Sequence, residues 1–151
     1  MVTTHKRQPV GEALQFMQSM WALVHALDVR SKRMAQTIGV TSLQRLVIRM
    51  IGQAPHQMAS EISAILNIHP STLTGVLARL EGRGLILREL DAADRRRARF
   101  KLTAAGKRID REQRGTVEAA VKRVLGAADR KAVAQTRDIF QRLVDQLERP
   151  D

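Results

Sequence analysis

The sequence predicts a mainly α-helical protein that carries one small β-hairpin. Over most of its length, apolar residues recur at three- and four-residue steps, which is the spacing of amphipathic helices. The exception is the stretch 85–102, in which two short extended segments flank a turn with three consecutive arginines. A helix with small residues on its outer side comes directly before this hairpin. Helices followed by a hairpin with a basic tip form a winged helix-turn-helix, here with long helices at both ends of the chain.

The first predicted element is a long amphipathic helix. Residues 1–9 are polar and end at a proline, so we expect a loose arm there. The helix is predicted over residues 10–36 and ends before Gly39, because glycine breaks helices readily. Its wide apolar stripe is formed by Leu14, Met17, Trp21, Val24 and Leu27.

Two shorter helices are predicted next. Thr41 or Ser42 is expected to cap the first, because either side chain can accept a hydrogen bond from the backbone at a helix start. Its predicted buried face is Leu43, Leu46, Val47, Met50 and Ile51. The second helix is expected to follow Ser60, and its predicted buried residues are Ile62, Ile65 and Leu66.

A fourth helix is predicted over residues 70–83. Pro70 suits its first turn, where the missing N–H costs nothing. The apolar side of the helix is predicted to be buried and comprises Leu73, Val76, Leu77 and Leu80. The opposite side carries Ser71, Thr72, Thr74, Gly75, Ala78 and Arg79. Small residues let a helix approach base edges closely, and hydroxyl and guanidinium groups can bind bases or phosphates. This side is therefore a candidate DNA-reading surface; a solvent face without a partner is the alternative.

The hairpin is predicted to have strands at residues 85–90 and 98–102. Its candidate DNA contacts are Asp94, Arg95, Arg96, Arg97 and Arg99. Guanidinium groups suit phosphate oxygens and narrow minor grooves. Carboxylates weaken the attraction to DNA, so we expect Asp91 and Asp94 to brace the turn and to orient neighbouring arginines by charge-assisted hydrogen bonds. An ordinary run of exposed charges is the alternative.

Further helices are predicted after the hairpin. Thr103 is expected to cap a helix that starts at Ala104 and stops near Gly126. Asp129 is expected to cap a last helix, which runs through Glu148.

The long ends of the chain predict self-association. Their apolar stripes are too long to be buried against one small domain, so we expect segments 10–36 and 104–148 to form the interface of a two-fold homodimer. Packing of these helices within one chain is the alternative. With a DNA-binding region at 41–103 between them, residues 10–151 are predicted to form a single domain.

The charge favours a polyanionic partner. Lysine and arginine number 26 against 15 acidic residues, which gives a net charge of +11. Such an excess indicates nucleic acid before an anionic membrane, although a generic basic surface is the alternative. No apolar run approaches the about 20 residues of a membrane span. The basic residues at the start have no apolar core behind them, as secretory signals have, so we expect a cytoplasmic protein.

Catalytic and metal sites are not expected. The chain has no cysteine, which excludes disulfides and thiolate zinc sites. Its four histidines are His5, His25, His56 and His69. They do not have the spacing of metal ligands. Glycine-rich nucleotide motifs and a nucleophile elbow are absent from the sequence. We therefore predict no enzyme activity, no cofactor and no metal.

The hairpin and its surroundings resemble the MarR family of transcriptional regulators. The family's wing signature, D-x-R-D-x-R, appears as Asp91–Ala92–Ala93–Asp94–Arg95–Arg96, in which Ala93 stands where the family has arginine. The LT-x-x-G motif that follows is formed by Leu102, Thr103 and Gly106. The resemblance implies that helix 70–83 is the recognition helix, that Arg96 is the minor-groove residue of the wing tip, and that the terminal helices form the dimer.

The resemblance also implies a small ligand, often aromatic or anionic, between the dimerisation helices and the winged region. Binding of such a ligand usually weakens DNA binding in the family. Trp21 and His25 are four residues apart on the first predicted helix and share a face, and with Met17 they form the candidate pocket. A core tryptophan beside a surface or hydrogen-bonded histidine is the alternative.

Together, these features predict a regulator that binds double-stranded DNA sequence-specifically as a homodimer. By resemblance, it represses from a pseudo-palindromic operator, and activation is the alternative mode. Two other classes remain open. One is an architectural protein that binds DNA of any sequence; the other is a winged helix that docks on an acidic protein surface.

Overall fold

A computed structural model of the protein describes residues 11–150. The predicted arm at residues 1–9 lies outside the described residues. The chain divides into two compact units, Met1–Glu112 and Gln113–Asp151, and each is considered by itself. The assignment of residues 10–151 to a single domain stays a prediction.

The first unit contains the four helices predicted before the hairpin and the hairpin itself, which confirms the winged-helix fold class. Its elements in chain order are α1 (Glu12–Thr37), α2 (Ser42–Gln53), β1 (Gln57–Met58), α3 (Ala59–Leu66), α4 (Pro70–Gly82), β2 (Ile86–Leu90), β3 (Ala98–Leu102) and α5 (Ala104–Arg111). The second unit contains α6 (Val117–Ala127) and α7 (Arg130–Leu147).

One helix boundary was predicted wrongly. The helix that starts at Ala104 ends at Arg111 and does not continue to Gly126. Gly115 adopts a left-handed conformation with φ +73°, which no α-helix continues through. Thr116 then caps α6, since its hydroxyl oxygen accepts a hydrogen bond from the Ala119 amide at 3.1 Å. A glycine followed by a capping threonine is the local signal for this break.

Most predicted helix ends are confirmed by side-chain caps. Thr41 accepts a hydrogen bond from the Gln44 amide, and the Gln44 side chain accepts one from the Thr41 amide, which forms a capping box. Thr103 and Asp129 cap α5 and α7, since their side chains accept hydrogen bonds from the amides of Gly106 and Ala132. The prediction for Ser60 was wrong because it lies inside α3. That helix starts at Ala59, two residues earlier than predicted, and the Glu61 carboxylate accepts a hydrogen bond from the amide of the N-cap residue, Met58.

The three strands form an antiparallel sheet in the order β1-β3-β2. In the hairpin, Ile86 pairs with Leu102 and Leu90 pairs with Ala98. Strand β1 was not predicted, because two residues are too few to show a strand's alternation. It pairs with β3 on the side away from β2, and so it fixes the base of the hairpin to the start of α3.

The core of the first unit lies between α2, α3, α4 and the hairpin. The four predicted residues of α4 are all buried, as are Val47, Ile51 and Ile62. Two predictions were wrong: Leu46 is 45% exposed and Ile65 is 56% exposed. Ile48 is fully buried instead, and Leu46, two residues before it, faces away from the core because the helical repeat is 3.6 residues.

The long terminal helices expose much apolar surface in the single chain. On α1 the exposed large apolar residues include Leu14, Met17, Trp21, Val24 and Leu27. On α6 and α7 they include Val121, Val124, Leu125, Ile139, Phe140 and Leu147. Across residues 11–150, none of the helices is both long and apolar enough to cross a membrane.

Candidate nucleic-acid interface

Helix α4 presents its predicted reading face to solvent. Leu73, Val76, Leu77 and Leu80 hold the helix against the core, and all six residues of the opposite face are exposed. At its start, Nδ1 of His69 accepts a hydrogen bond from the Ser71 amide at 3.2 Å. The Thr74 hydroxyl donates to the carbonyl oxygen of Pro70 at 2.9 Å, so this donor is already used within the helix.

At Gly75, no side chain projects from the middle of this face of α4. A methyl group added there would meet no atom within 4 Å, so glycine is not required by packing inside the protein. Except for Arg79, its neighbours on the face have short side chains, which leaves the helix backbone accessible to a flat partner. This is the shape that a helix needs to approach base edges in a major groove.

The turn of the hairpin is held by its two aspartates. One carboxylate oxygen of Asp91 accepts hydrogen bonds from the amides of Ala93 at 2.9 Å and Asp94 at 3.4 Å. The Asp94 carboxylate accepts one from the amide of Arg96 at 3.0 Å. The two aspartates therefore fix the backbone from which the arginines project.

The wing arginines differ in how they are held. The Arg99 guanidinium lies 3.1 Å from a carboxylate oxygen of Asp91 and also donates to the carbonyl oxygen of His56. Arg97 is more loosely paired, with its Nε 3.6 Å from Asp94. Arg95 and Arg96 are exposed, and neither forms a salt bridge with any described residue. Within the described chain, Arg95 and Arg96 are thus available for an external anion, whereas Arg99 is engaged internally.

The contacts of Asp91 lower its pKa below the ordinary 3.8, mainly through the hydrogen bond from the Ala93 amide and then through Arg99. At pH values above the ordinary pKa, the ionised carboxylate stabilises the turn, and this contribution is lost as the pH falls through the lowered pKa.

In an Arg99→Ala variant, we expect the pKa of Asp91 to return only part of the way to its ordinary value, because the backbone donors remain. A carboxyl-carbon NMR titration checks this. Full return to the ordinary value would show that Arg99 alone causes the shift.

Arg88 is a candidate interface residue that the sequence analysis missed. It lies two residues after the buried Ile86 on β2, and alternate residues of a strand share a face, so Arg88 projects on the side of α4. It helps to line a cavity of about 430 Å³ between α4 and the wing. The alternation of β2 was the signal that would have found it.

The predicted ligand pocket on α1 stays a prediction. Met17 is 48% exposed and Trp21 is 67% exposed, and His25 is exposed as well. The cavities of about 430 and 500 Å³ in the first unit are lined by other residues. Among the described residues, no group of three or more potential metal ligands is present.

Comparison with known proteins agrees with this arrangement. The model of the MarR family matches residues 40–98, which span α2 to the end of the wing turn. A helix-turn-helix transcriptional repressor of Mycobacterium tuberculosis is 28% identical over 110 residues, which cover 73% of this chain and 76% of the repressor.

Solved structures share the fold. The PcaV regulator from Streptomyces coelicolor, in complex with its natural ligand, superposes with a TM-score of 0.73 at 23% identity, covering 93% of this chain and 99% of PcaV. The MepR–DNA complex of S. aureus gives a TM-score of 0.70 at 16% identity, covering 91% of this chain and 99% of MepR. Residues 40–98 thus match the MarR family, and the chain shares its winged-helix fold with the transcriptional regulators found in these comparisons.

Proposed function

We propose that this protein is a homodimeric repressor that binds a pseudo-palindromic operator. The observation that carries the proposal is the exposed, small-residue face of α4 beside a turn whose arginines project from a fixed backbone. A helix in the major groove and a basic tip in the adjacent minor groove together read a longer segment of DNA than either element alone.

The base readers are on α4. Ser71, Thr72, Thr74, Gly75, Ala78 and Arg79 face the major groove. The Thr74 hydroxyl already donates to Pro70, so its methyl group is the part that meets a thymine methyl. Arg79 binds a guanine or a phosphate.

The wing contacts come from the turn. Arg95 and Arg96 enter the minor groove or bind its phosphates, because both guanidinium groups are exposed. Arg97 and Arg99 act closer to the base of the wing, where Asp94 and Asp91 hold them.

Dimerisation covers the apolar surface of the terminal helices. The segments 10–36 and 104–148 supply the two-fold interface, which explains the exposure of Trp21 on α1 and Phe140 on α7. Two-fold symmetry places the two recognition helices in successive major grooves, so the half-sites lie about one helical turn apart.

The sign of regulation and its control follow the relatives. The M. tuberculosis relative is named a repressor, which favours repression over activation. The PcaV structure contains a natural ligand, which favours relief by a small aromatic or anionic molecule here as well. Met17, Trp21 and His25 share one face of α1 and are the residues proposed to line its pocket. The protein acts in the cytoplasm, where it meets its operator.

Selection of bound fragments from a genomic pool tests the proposal. At about 0.15 M salt, non-specific attraction is largely screened. Enrichment of one inverted repeat with half-sites about one turn apart is the expected result. Even recovery of all fragments would instead identify an architectural DNA-binding protein. No recovery, with or without candidate ligands, would contradict the proposal and favour a protein-docking role.

Replacement of Gly75 by alanine separates folding from DNA reading. The added methyl group meets open space in the free protein, and alanine favours helix, so the free energy of unfolding should rise by up to about 1 kcal/mol. On DNA the same methyl group holds α4 away from the bases, so operator affinity should fall about tenfold. Urea denaturation and fluorescence anisotropy measure the two effects. The matched control is Gly82→Ala at the end of α4, outside the six-residue reading face, which should stabilise without weakening binding. Unchanged affinity of Gly75→Ala would show that this face lies outside the groove.

A further inference from the structure

The cavity between α4 and the wing separates the two DNA-reading elements. On the helix side it is lined by Thr74, Ala78 and Glu81, and on the hairpin side by Arg88, Arg96 and Arg97. Its volume is about 430 Å³, and it is open to solvent. Thr74 and Ala78 are candidate base readers and Arg96 is the candidate minor-groove residue, so the cavity adjoins both readers.

The cavity is electropositive. Three guanidinium groups line it against the single carboxylate of Glu81. Arg97 is partly neutralised by Asp94, with 3.6 Å between their charged atoms. Arg88 forms no salt bridge with any residue in the range that the structure describes. Its charge is therefore uncompensated, in a recess where a planar guanidinium can bind two oxygens of one anion.

The path that a DNA strand would take past the protein indicates which anion binds in the cavity. A major groove and the adjacent minor groove are separated by one sugar–phosphate strand. If α4 enters the first and the wing tip enters the second, that strand must pass between them. The cavity lies between these two elements of the protein.

We infer that this cavity, here called the wing groove, is a binding site for the DNA sugar–phosphate backbone, in which Arg88 holds a phosphate. The inference rests on the proposed DNA binding by α4 and the wing. Arg88 carries no base information; it fixes how deeply the strand lies between the two readers. Glu81 opposes the phosphate from the helix side and so limits the affinity of the site.

The salt dependence of operator binding tests the inference. Each phosphate neutralised contributes about 0.9 to the slope of log K against log salt concentration. Arg88→Gln should lower the slope by about 0.9 for each bound protomer and weaken binding about tenfold per contact, equally for operator and unrelated DNA. Arg88→Lys, which keeps the charge, should retain the slope.

The matched control is Arg149→Gln. Arg149 is exposed after the end of α7, outside the segments proposed to dimerise, and it does not line the wing groove. The same loss of charge there should leave the slope unchanged. An equal change in slope for Arg88→Gln and Arg149→Gln would overturn the inference, because it would mean that only the net charge matters.

Glu81→Gln provides a second test with the opposite sign. Removal of this carboxylate should raise the affinity for any duplex by severalfold. Circular dichroism verifies that each variant is folded. If wild-type protein selects an operator but Arg88→Gln keeps the full salt slope, the inference fails while the proposed function stands. If wild-type protein selects no operator, the proposed function itself fails.

Discussion

Replacement of Gly106 by alanine is expected to lower the free energy of unfolding by about 3 kcal/mol or more. Gly106 is buried in the first turn of α5, and a methyl group there would overlap the backbone carbonyl oxygen of Leu85. That oxygen also accepts hydrogen bonds from the amide and the hydroxyl of Thr103. Because the obstacle is backbone, it cannot turn away as a side chain can, so α5 must separate from the base of the hairpin.

Urea denaturation followed by circular dichroism measures this effect. The control is Gly82→Ala at the end of α4, where an added methyl group meets no atom within 4 Å. Alanine is the better helix former, so this variant should gain up to about 1 kcal/mol. A Gly106→Ala protein as stable as wild type would mean that the close approach of α5 to Leu85 does not exist in solution. The LT-x-x-G motif would then need another explanation.

The parts of the fold that the sequence predicted well depend on local signals. Helix α4 has a proline in its first turn and an uninterrupted apolar side. Its start and its buried residues are confirmed, and it ends at Gly82, one residue before the predicted end. The caps at Thr41, Thr103 and Asp129 are confirmed for the same reason, because a capping side chain acts on amides two or three residues away.

The parts that were missed depend on contacts between distant residues. Strand β1 exists because β3 offers it an edge, and its two residues have no pattern of their own. Ile48 is buried and Leu46 is exposed because of the neighbours that α2 meets, and a helical wheel does not identify these neighbours. The predicted helix from Ala104 continued too far because a favourable apolar pattern after Gly115 concealed the break.

The same distinction between local signals and long-range contacts applies to the candidate site. Residue type alone indicated the reading face of α4 and the basic turn, since small residues and arginines suit DNA wherever they are exposed. Which arginine pairs with which aspartate depends on the fold of the turn, which brings Arg99 to Asp91 across eight residues. The position of Arg88 opposite α4 depends on how the hairpin packs on that helix, so the residue type alone did not distinguish it.

Replacement of Arg96 by alanine is expected to weaken operator binding by about 1–3 kcal/mol at fixed salt, while the free energy of unfolding stays unchanged. Asp94 holds the backbone amide of Arg96, and this bond survives the substitution because it does not involve the side chain. The exposed guanidinium makes no salt bridge with any other described residue, so its removal costs the protein nothing until DNA is bound.

Arg99→Ala should give a different result, and the contrast decides what the wing arginines do. Arg99 bonds to Asp91 and to the carbonyl oxygen of His56, so its loss should lower stability and raise the pKa of Asp91 as well as weaken binding. Arg149→Ala controls for the change in net charge, because Arg149 is exposed and lies outside the segments proposed to dimerise. Anisotropy titrations of the three variants on one operator, with urea denaturation of each, separate the roles. If Arg96→Ala binds as tightly as wild type while Arg99→Ala does not, the tip makes no DNA contact through Arg96. The wing would then contribute to DNA binding through Arg99 and its contact with Asp91.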